Sequence, residues 1–425
     1  MSICRLNAAS RAQNWMGVDQ KGRNEMSKST SLLAAVALVV TGGVALADDT
    51  KVGILMDITG PIASFIPPLQ NAANLAVNQA NEQGGLLDGK AIAVFGDTTG
   101  SAQGAVDAAG KLVNIENVPI IMGSLMSGTT IAAAEAVAIP AGVVQISPTA
   151  TSPAITDIED NDLMYRIVPS DNYQGEVLAK MVLEAGNKEV AVTYVNNDYG
   201  VGIGQTFIEA YKAAGGKITS AVKHEEKKDS YRSELATLSQ AGGSALVVIA
   251  YAGDSGGKIV KQSIEGGLFT NFIGTDGLRD EALINDIGAE ALATSFFSSP
   301  TSPADNPNQG TLHELYNAAY GEGADKAFVD QTYDATFLTL LAIQKAGSTD
   351  RAAMAAALRS VASAPGEKVG PGEWAKARKL LMDGKDIDYD GAGGSYDFDK
   401  NGDVSGYIGK FVVDGNSYKQ TEVMQ

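Results

Sequence analysis

From Lys51 onward the chain alternates short, unbroken apolar runs with segments whose apolar residues recur at helical spacing, and this alternation restricts the fold more than any other feature. The first unit is a strand over 52–56 followed by a helix with Leu69, Ala72, Ala73, Ala76, Val77 and Ala80 on one face. Strands over 91–95, 119–122 and 143–146, separated by helices over 102–113 and 129–138, extend the series. A second series opens with a helix over 175–185 and runs through strands over 190–195, 217–222, 245–250 and 272–274, with helices over 202–214, 231–240 and 256–265. Strands that are apolar on both faces need cover on both faces, so each series predicts a parallel sheet between layers of helices. The expected fold class is therefore α/β, with two doubly wound parallel-sheet lobes.

Beyond 311 the alternation stops. Helices are expected over 311–320, 333–345, 351–361 and 373–383, then a Gly- and Asp-rich β stretch over 387–418 with turns at Asn401-Gly402 and Asp414-Gly415. Helices that follow the second lobe imply that the chain crosses back to the first. The corresponding division is 48–169 plus 298–404 for lobe 1 and 170–297 plus 405–425 for lobe 2, after an N-terminal segment 1–47.

That segment has the pattern of an export signal. Lys28 precedes an apolar run from Leu32 to Val40, and Ala45-Leu46-Ala47 supplies small residues, so cleavage is expected after Ala47 and the mature protein in the periplasm. The run is shorter than the roughly 20 residues needed to span a bilayer. Met26 is a second possible start. Removing residues 1–47 deletes five bases and two acids, which takes the net charge from −18 to −21, and it removes Cys4, the one cysteine. A chain this acidic is unsuited to nucleic acid or an anionic membrane, both held mainly by clustered Lys and Arg. With only His224 and His313 besides that Cys, the usual zinc ligand sets are excluded, and no cofactor or metal is expected.

Several local motifs fail on their surroundings. Gly253-Asp254-Ser255-Gly256-Gly257 spells a serine-protease nucleophile segment, but neither histidine stands in a matching context and the fold class is wrong. Gly84 to Lys90 has phosphate-loop spacing, yet Ala91 replaces the Ser or Thr, and a helix precedes and a strand follows it. Asp397-x-Asp399-x-Asn401-Gly402 imitates the start of a calcium loop, but Ile408 stands where the closing Glu belongs, so an Asp-rich hairpin turn is expected. Gly200-x-Gly202-x-Gly204 lacks dinucleotide-loop spacing and reads as a helix start.

Ligands of open parallel sheets sit beyond the carboxyl ends of the strands. Those ends carry a coherent set of residues here. The first series places Ser124 to Gly128 and Ser147-Pro148-Thr149-Ala150-Thr151 there, hydroxyls and helix-opening N–H groups suited to a carboxylate. The second places Asn197 to Gly200, Tyr251 and Thr275-Asp276-Gly277, an acid with two aromatics. Singly, Ser127 and Thr151 read as helix caps or turns, Tyr199 and Tyr251 as packing residues, and Asp276 as a turn residue. Together they offer neutral donors for an anion and an acid for a cation, which is what a free amino acid requires.

These residues also carry a resemblance. Lys51 to Leu55, Thr59-Gly60-Pro61, Ala80 to Gly85, Ile121 to Ser127, Ile146 to Thr151, Asp198-Tyr199-Gly200, Gly274 to Gly277 and Phe398 to Asp403 together closely resemble the Leu/Ile/Val-binding proteins of bacterial ABC transporters, in order along nearly the whole mature chain. The resemblance implies two lobes joined by three crossings, the type I periplasmic binding fold. It implies a ligand carboxylate at Ser127 and Thr151 with backbone groups of Thr149 and Ala150, an ammonium at Asp276, and aromatic contacts from Tyr199, Tyr251 and Phe65. It further implies a non-enzymatic carrier, monomeric, with membrane permease subunits as partners and no nucleic acid. Ile66-Pro67-Pro68 departs from the family's usual Gly and polar residues, and Met126 stands where some members have a disulfide Cys. Two alternatives remain open at this stage: a sensor component for amino acids or amides, and an exported hydrolase using Ser255 with Asp254.

Overall fold

The structure, a computed structural model, describes residues 48–425; the expected signal and its cleavage point after Ala47 lie outside the described residues. The first sheet is built from β1 (Thr50–Met56), β2 (Ala91–Asp97), β3 (Ile120–Gly123), β4 (Val144–Ser147) and β5 (Met164–Arg166), all parallel, in the order β2-β1-β3-β4-β5. The second contains β6 (Glu189–Val195), β7 (Lys217–His224), β8 (Ala245–Ile249), β9 (Phe272–Gly274) and β10 (Phe296–Thr301). A small parallel pair, β11 (Glu367–Val369) and β12 (Ile387–Tyr389), stands apart, and β13 (Tyr407–Asp414) and β14 (Ser417–Met424) add an antiparallel edge to the second sheet, in the order β14-β13-β10-β9-β8-β6-β7. The two lobes read from the alternation are therefore present, and β3, β4 and β8, with no exposed residue, are the unbroken apolar runs that announced them.

Helices cover both sheets. They are α1 (Ile66–Glu82), α2 (Ala102–Asn114) and α3 (Ser127–Ala133) on the first lobe, then α4 (Asp171–Glu184), α5 (Asp198–Ala213), α6 (Arg232–Ala241), α7 (Gly257–Glu265) and α8 (Glu281–Ile287) on the second. After β10 the chain returns to the first lobe through α9 (Pro307–Tyr320), α10 (Val329–Ala346), α11 (Met354–Ala362) and α12 (Trp374–Met382). Val329 to Gln344 of α10 is buried on every side, packed against α1, α11 and α12, and its polar members are met inside the protein, Asp334 by the Tyr389 and Tyr396 hydroxyls and the Ala392 and Gly393 N–H groups.

Three expectations change. Strand β10 runs whole in the second sheet, paired with β9 and β13, so a lobe boundary at 297/298 would cut it, and the return crossing comes after Thr301. The turn at Asn401-Gly402 is not a hairpin. Only the Asp414-Gly415 turn joins paired strands, whereas 399–403 folds on Asp399, and Gly402 O accepts the Arg166 N–H at 3.0 Å. Helices α4 and α5 each begin four residues earlier than the apolar spacing suggested, with Ser170 and Asn197 as side-chain caps.

Candidate ligand-binding cleft

The carboxyl ends of β3, β4, β8 and β9 and the start of α1 converge on one cavity between the lobes, about 410 Å³ of space that includes some open solvent. Of the eight residues singled out from sequence, Ser127, Thr149, Thr151, Tyr199, Tyr251, Asp276 and Phe65 line it. The cleft is closed. Ser152 Oγ donates to Asp198 O at 2.9 Å, Ser64 Oγ bonds Asp280, and a Cβ on Gly253 would meet Pro61 O at 2.4 Å.

The first-lobe wall is backbone held in place from behind. Between β3 and α3 the chain turns so sharply that Gly123 has φ +119, and a Cβ there would lie 1.8 Å from Leu55 O, so only glycine fits. The next amides, Leu125 N and Met126 N, donate to the buried Asp57 carboxylate at 2.9 and 3.1 Å, and burial raises the pKa of that acid above the usual carboxylate range. Ser127 is not the helix cap. Met126 occupies that place, and Ser127 Oγ accepts Ser152 N–H at 3.2 Å, which leaves its own proton for a ligand.

Beneath the second loop lies Arg166, with no exposed surface. Its five N–H groups find five acceptors: Thr151 O and Ser152 O at 2.9 and 2.8 Å, Thr156 Oγ1 at 2.6 Å, and both oxygens of Asp403 at 2.6 and 2.9 Å. Ala150 does not line the cavity: its N–H donates to Ser147 Oγ at 3.0 Å, so the implied backbone contact there is not available to a ligand. Thr149 lines it, with its hydroxyl given to Leu125 O at 2.6 Å.

The second-lobe wall is made of side chains. Tyr199 and Tyr251 stack with ring centroids 5.0 Å apart, and Gly277 gives both rings room. Tyr199 Oη bonds Thr275 Oγ1 at 2.6 Å, donates to Asp276 Oδ1 at 3.1 Å and accepts Gly277 N–H at 3.2 Å. Gln174 Nε2 also donates to Asp276 Oδ1, at 2.9 Å, and burial pushes the Asp276 pKa up to about 6.

Sequence reasoning missed Asp171. It opens α4 at the first crossing, its N–H donates to Thr151 O at 2.8 Å, and it is fully buried. Neither carboxyl oxygen has a hydrogen-bond partner among the described residues, and the Thr151 hydroxyl approaches without reaching bonding geometry. Burial, then the negative charge of Asp276, raise its pKa far above the usual range. The signal was available: Ser170-Asp171-Asn172 reads as a helix start. Phe328 and Leu69 were also missed; they come to the apolar end with Ile62, Leu125 and Met126. The Ile66-Pro67-Pro68 departure falls outside the lining, with its prolines in the first turn of α1 and Ile66 in the core.

The Ser255 segment also needs correction, because a base does stand beside it. His224 Nε2 is 3.0 Å from Ser255 Oγ, and Thr193 Oγ1 is 2.7 Å from Nδ1. Thr193 takes the place a carboxylate holds in a triad, all three residues are buried, and burial lowers the His224 pKa to about 4. The trio joins β6 and β7 to the 252–256 turn that meets Pro61 across the cleft. Among the described residues, no group of three or more His, Cys, Asp or Glu is placed to hold a metal ion, and no helix is long and apolar enough to cross a membrane.

A closed, two-lobed α/β cleft lined by opposed polar groups is the architecture of a solute-binding protein. A family profile described as "Periplasmic binding protein" matches residues 49–380, and the chain belongs to that family as a type I, substrate-binding member. The leucine-, isoleucine-, valine-, threonine- and alanine-binding protein of Pseudomonas aeruginosa is 27% identical over 343 residues, 80% of this chain and 90% of that protein. The Leu/Ile/Val-binding protein BraC3 of Rhizobium johnstonii is 30% identical over 340 residues, 79% and 89% of the two chains. The branched-chain amino acid transporter substrate-binding protein LivJ of Streptococcus pneumoniae, solved in complex with isoleucine, shares the fold with a TM-score of 0.74 at 24% identity, covering 89% of this chain and 99% of that one.

Proposed function

We propose that the protein captures a free amino acid with an apolar side chain, of the branched-chain kind, and delivers it to the permease of an ABC transporter. The observation that carries this reading is Asp276, a buried acid on the cavity wall, together with a second buried acid, Asp171, near enough to feel its charge. Two acids together in a low-dielectric site repel, and one of them has no hydrogen-bond partner, so a ligand cation is the missing counter-charge. Ser127 and Thr151 on the opposite wall receive the carboxylate, and Tyr199, Tyr251, Phe65 and Phe328 enclose the side chain. The relatives' ligands by name, leucine, isoleucine and valine, with threonine and alanine added in one of them, agree with this chemistry. Residues from both lobes contact one ligand, so binding favours the closed form, and that form is what a permease would recognise. The protein acts as an exported periplasmic monomer after cleavage at Ala47, and as a carrier without catalysis.

Calorimetric titration with leucine, isoleucine and valine, alongside 4-methyl-2-oxopentanoate and leucinamide, tests the reading. The amino acids bind, while the keto acid and the amide, each lacking one charge, bind at least about a hundredfold more weakly, as expected when a buried charged group is left unpaired. Equal binding of the keto acid and leucine overturns the ammonium site. Failure of all three amino acids overturns the ligand class.

A further inference from the structure

A second cavity, about 650 Å³ including open solvent, lies on the far side of Phe328, which lines both it and the cleft. Its walls come from both lobes: Arg279, Phe411 and Tyr418 from the second, His313, Asp325 and Lys326 from the first. Arg279 is 7% exposed, with Cζ 4.0 Å from the centroid of the Phe411 ring. Its Nε is buried without a partner, and among the described residues its guanidinium makes no ion pair. The other basic groups are engaged. Lys326 Nζ donates to Glu281 Oε1 at 3.0 Å across the lobes. His313 Nε2 is 2.9 Å from Asp330 Oδ1, while Asp330 Oδ2 accepts from Ser302 and Gln309. Glu281, Asp276 and Asp325 reach the Arg279 guanidinium only through their charge, while Asp276 O accepts the Arg279 backbone N–H at 3.0 Å.

A buried guanidinium without a counter-ion is costly, and its rigid fork of donors matches a carboxylate or phosphate oxygen pair. We propose that this cavity is a second binding site, for a small oxyanion held by Arg279, formed only when the lobes are closed. An anion that binds the closed form alone shifts the hinge equilibrium the same way as the cleft ligand, so each raises the affinity of the other by the same factor. Phe328 is the wall between the two sites. It holds φ +65, a left-handed backbone uncommon for a bulky residue, at the start of α10, which is buried from Val329 to Gln344.

The site does not depend on what the cleft binds, and thermal unfolding of the mature chain in inorganic phosphate or acetate, at fixed pH and ionic strength, reads it directly. A saturable rise in Tm is expected in the wild type and is absent in Arg279→Gln. Leucine affinity, if leucine binds, rises about fivefold or more at saturating anion. Asp325→Asn removes a competing negative charge and so strengthens the anion response. That variant keeps Arg279 and serves as an independent measure should Arg279→Gln fail to fold. A wild type with no anion-specific response overturns the site. So does a response that persists unchanged in Arg279→Gln, or one that Asp325→Asn abolishes, since the latter would make Asp325 and Arg279 a direct latch between the lobes.

Discussion

The two walls of the cleft solve the same problem by different means. The first-lobe wall presents hydroxyls and backbone, and its order comes from groups behind it: Asp57 under the 124–127 turn and Arg166 under the 149–152 turn. The second-lobe wall presents its chemistry directly, as Asp276 with Tyr199 and Gln174, joined at the crossing by Asp171. A wall of backbone cannot titrate and is costly to rearrange, whereas a wall of side chains responds to pH and tolerates substitution of its members one by one. Loss of the first wall should therefore be felt mainly as stability, and loss of the second mainly as affinity.

The largest effect is expected at Arg166. Replacing it with Gln removes the cation paired with Asp403 and one donor each from the Thr151 and Ser152 carbonyls, which keep only the Asp171 and Ile155 N–H groups, and breaking a buried pair in this way costs about 3–5 kcal/mol. Denaturant unfolding should show that loss. A small change in stability with a large loss of affinity would reverse the assignment of scaffold and ligand groups between the walls.

Asp276→Asn should follow, with about a hundredfold loss of amino-acid affinity and little change in unfolding, since it removes a charge from the buried pair without removing volume. The same wall sets the pH response. Asp276 sits at about 6 in the closed protein, and an ammonium beside it favours the charged form, so the complex holds fewer protons than the free protein. Affinity must then fall as pH drops through 6, by at most about tenfold per unit. Calorimetry between pH 7.5 and 5 measures this slope, and Asp276→Asn removes its step near pH 6. A profile that is flat in the wild type would show that the ligand carries no cation.

Ser127→Ala tests the opposite wall at its point of contact. It removes one donor to the ligand and the acceptor for Ser152 N–H, and about tenfold weaker binding with unchanged pH dependence is expected. A changed pH profile would mean that the two ends of the ligand are not read independently.

The unequal legibility of the two walls has the same origin. Strand runs such as 120–123 and 245–249 were readable because a sheet covered on both faces demands continuous apolar residues. Most side chains that line the cleft were readable because they lie just past those strands. Arg166 and Asp57 were not, because nothing local marks a charge whose partners, Asp403 and Met126, are supplied by distant segments. Asp171 sits where the apolar period of α4 has not yet begun, so periodicity placed it in a loop, although its cap was visible. Ala150 illustrates the opposite error. Its position beside Thr149 and Thr151 is right, but the N–H is already given to Ser147.

The smallest expected effect concerns the Ser255 and His224 contact. Its geometry is that of a nucleophile and base, yet the His pKa is lowered to about 4, the third partner is Thr193, and all three are buried. A neutral imidazole that joins two strands to the 252–256 turn acts as a brace for the lobe edge that meets Pro61. Ser255→Ala leaves one ring nitrogen without a partner and should lower stability by about 1–2 kcal/mol, with affinity within about twofold of wild type because the cleft groups keep their own bonds. Loss of a measurable ester-cleaving activity in this variant would instead make the contact catalytic and the second wall more than a binding surface.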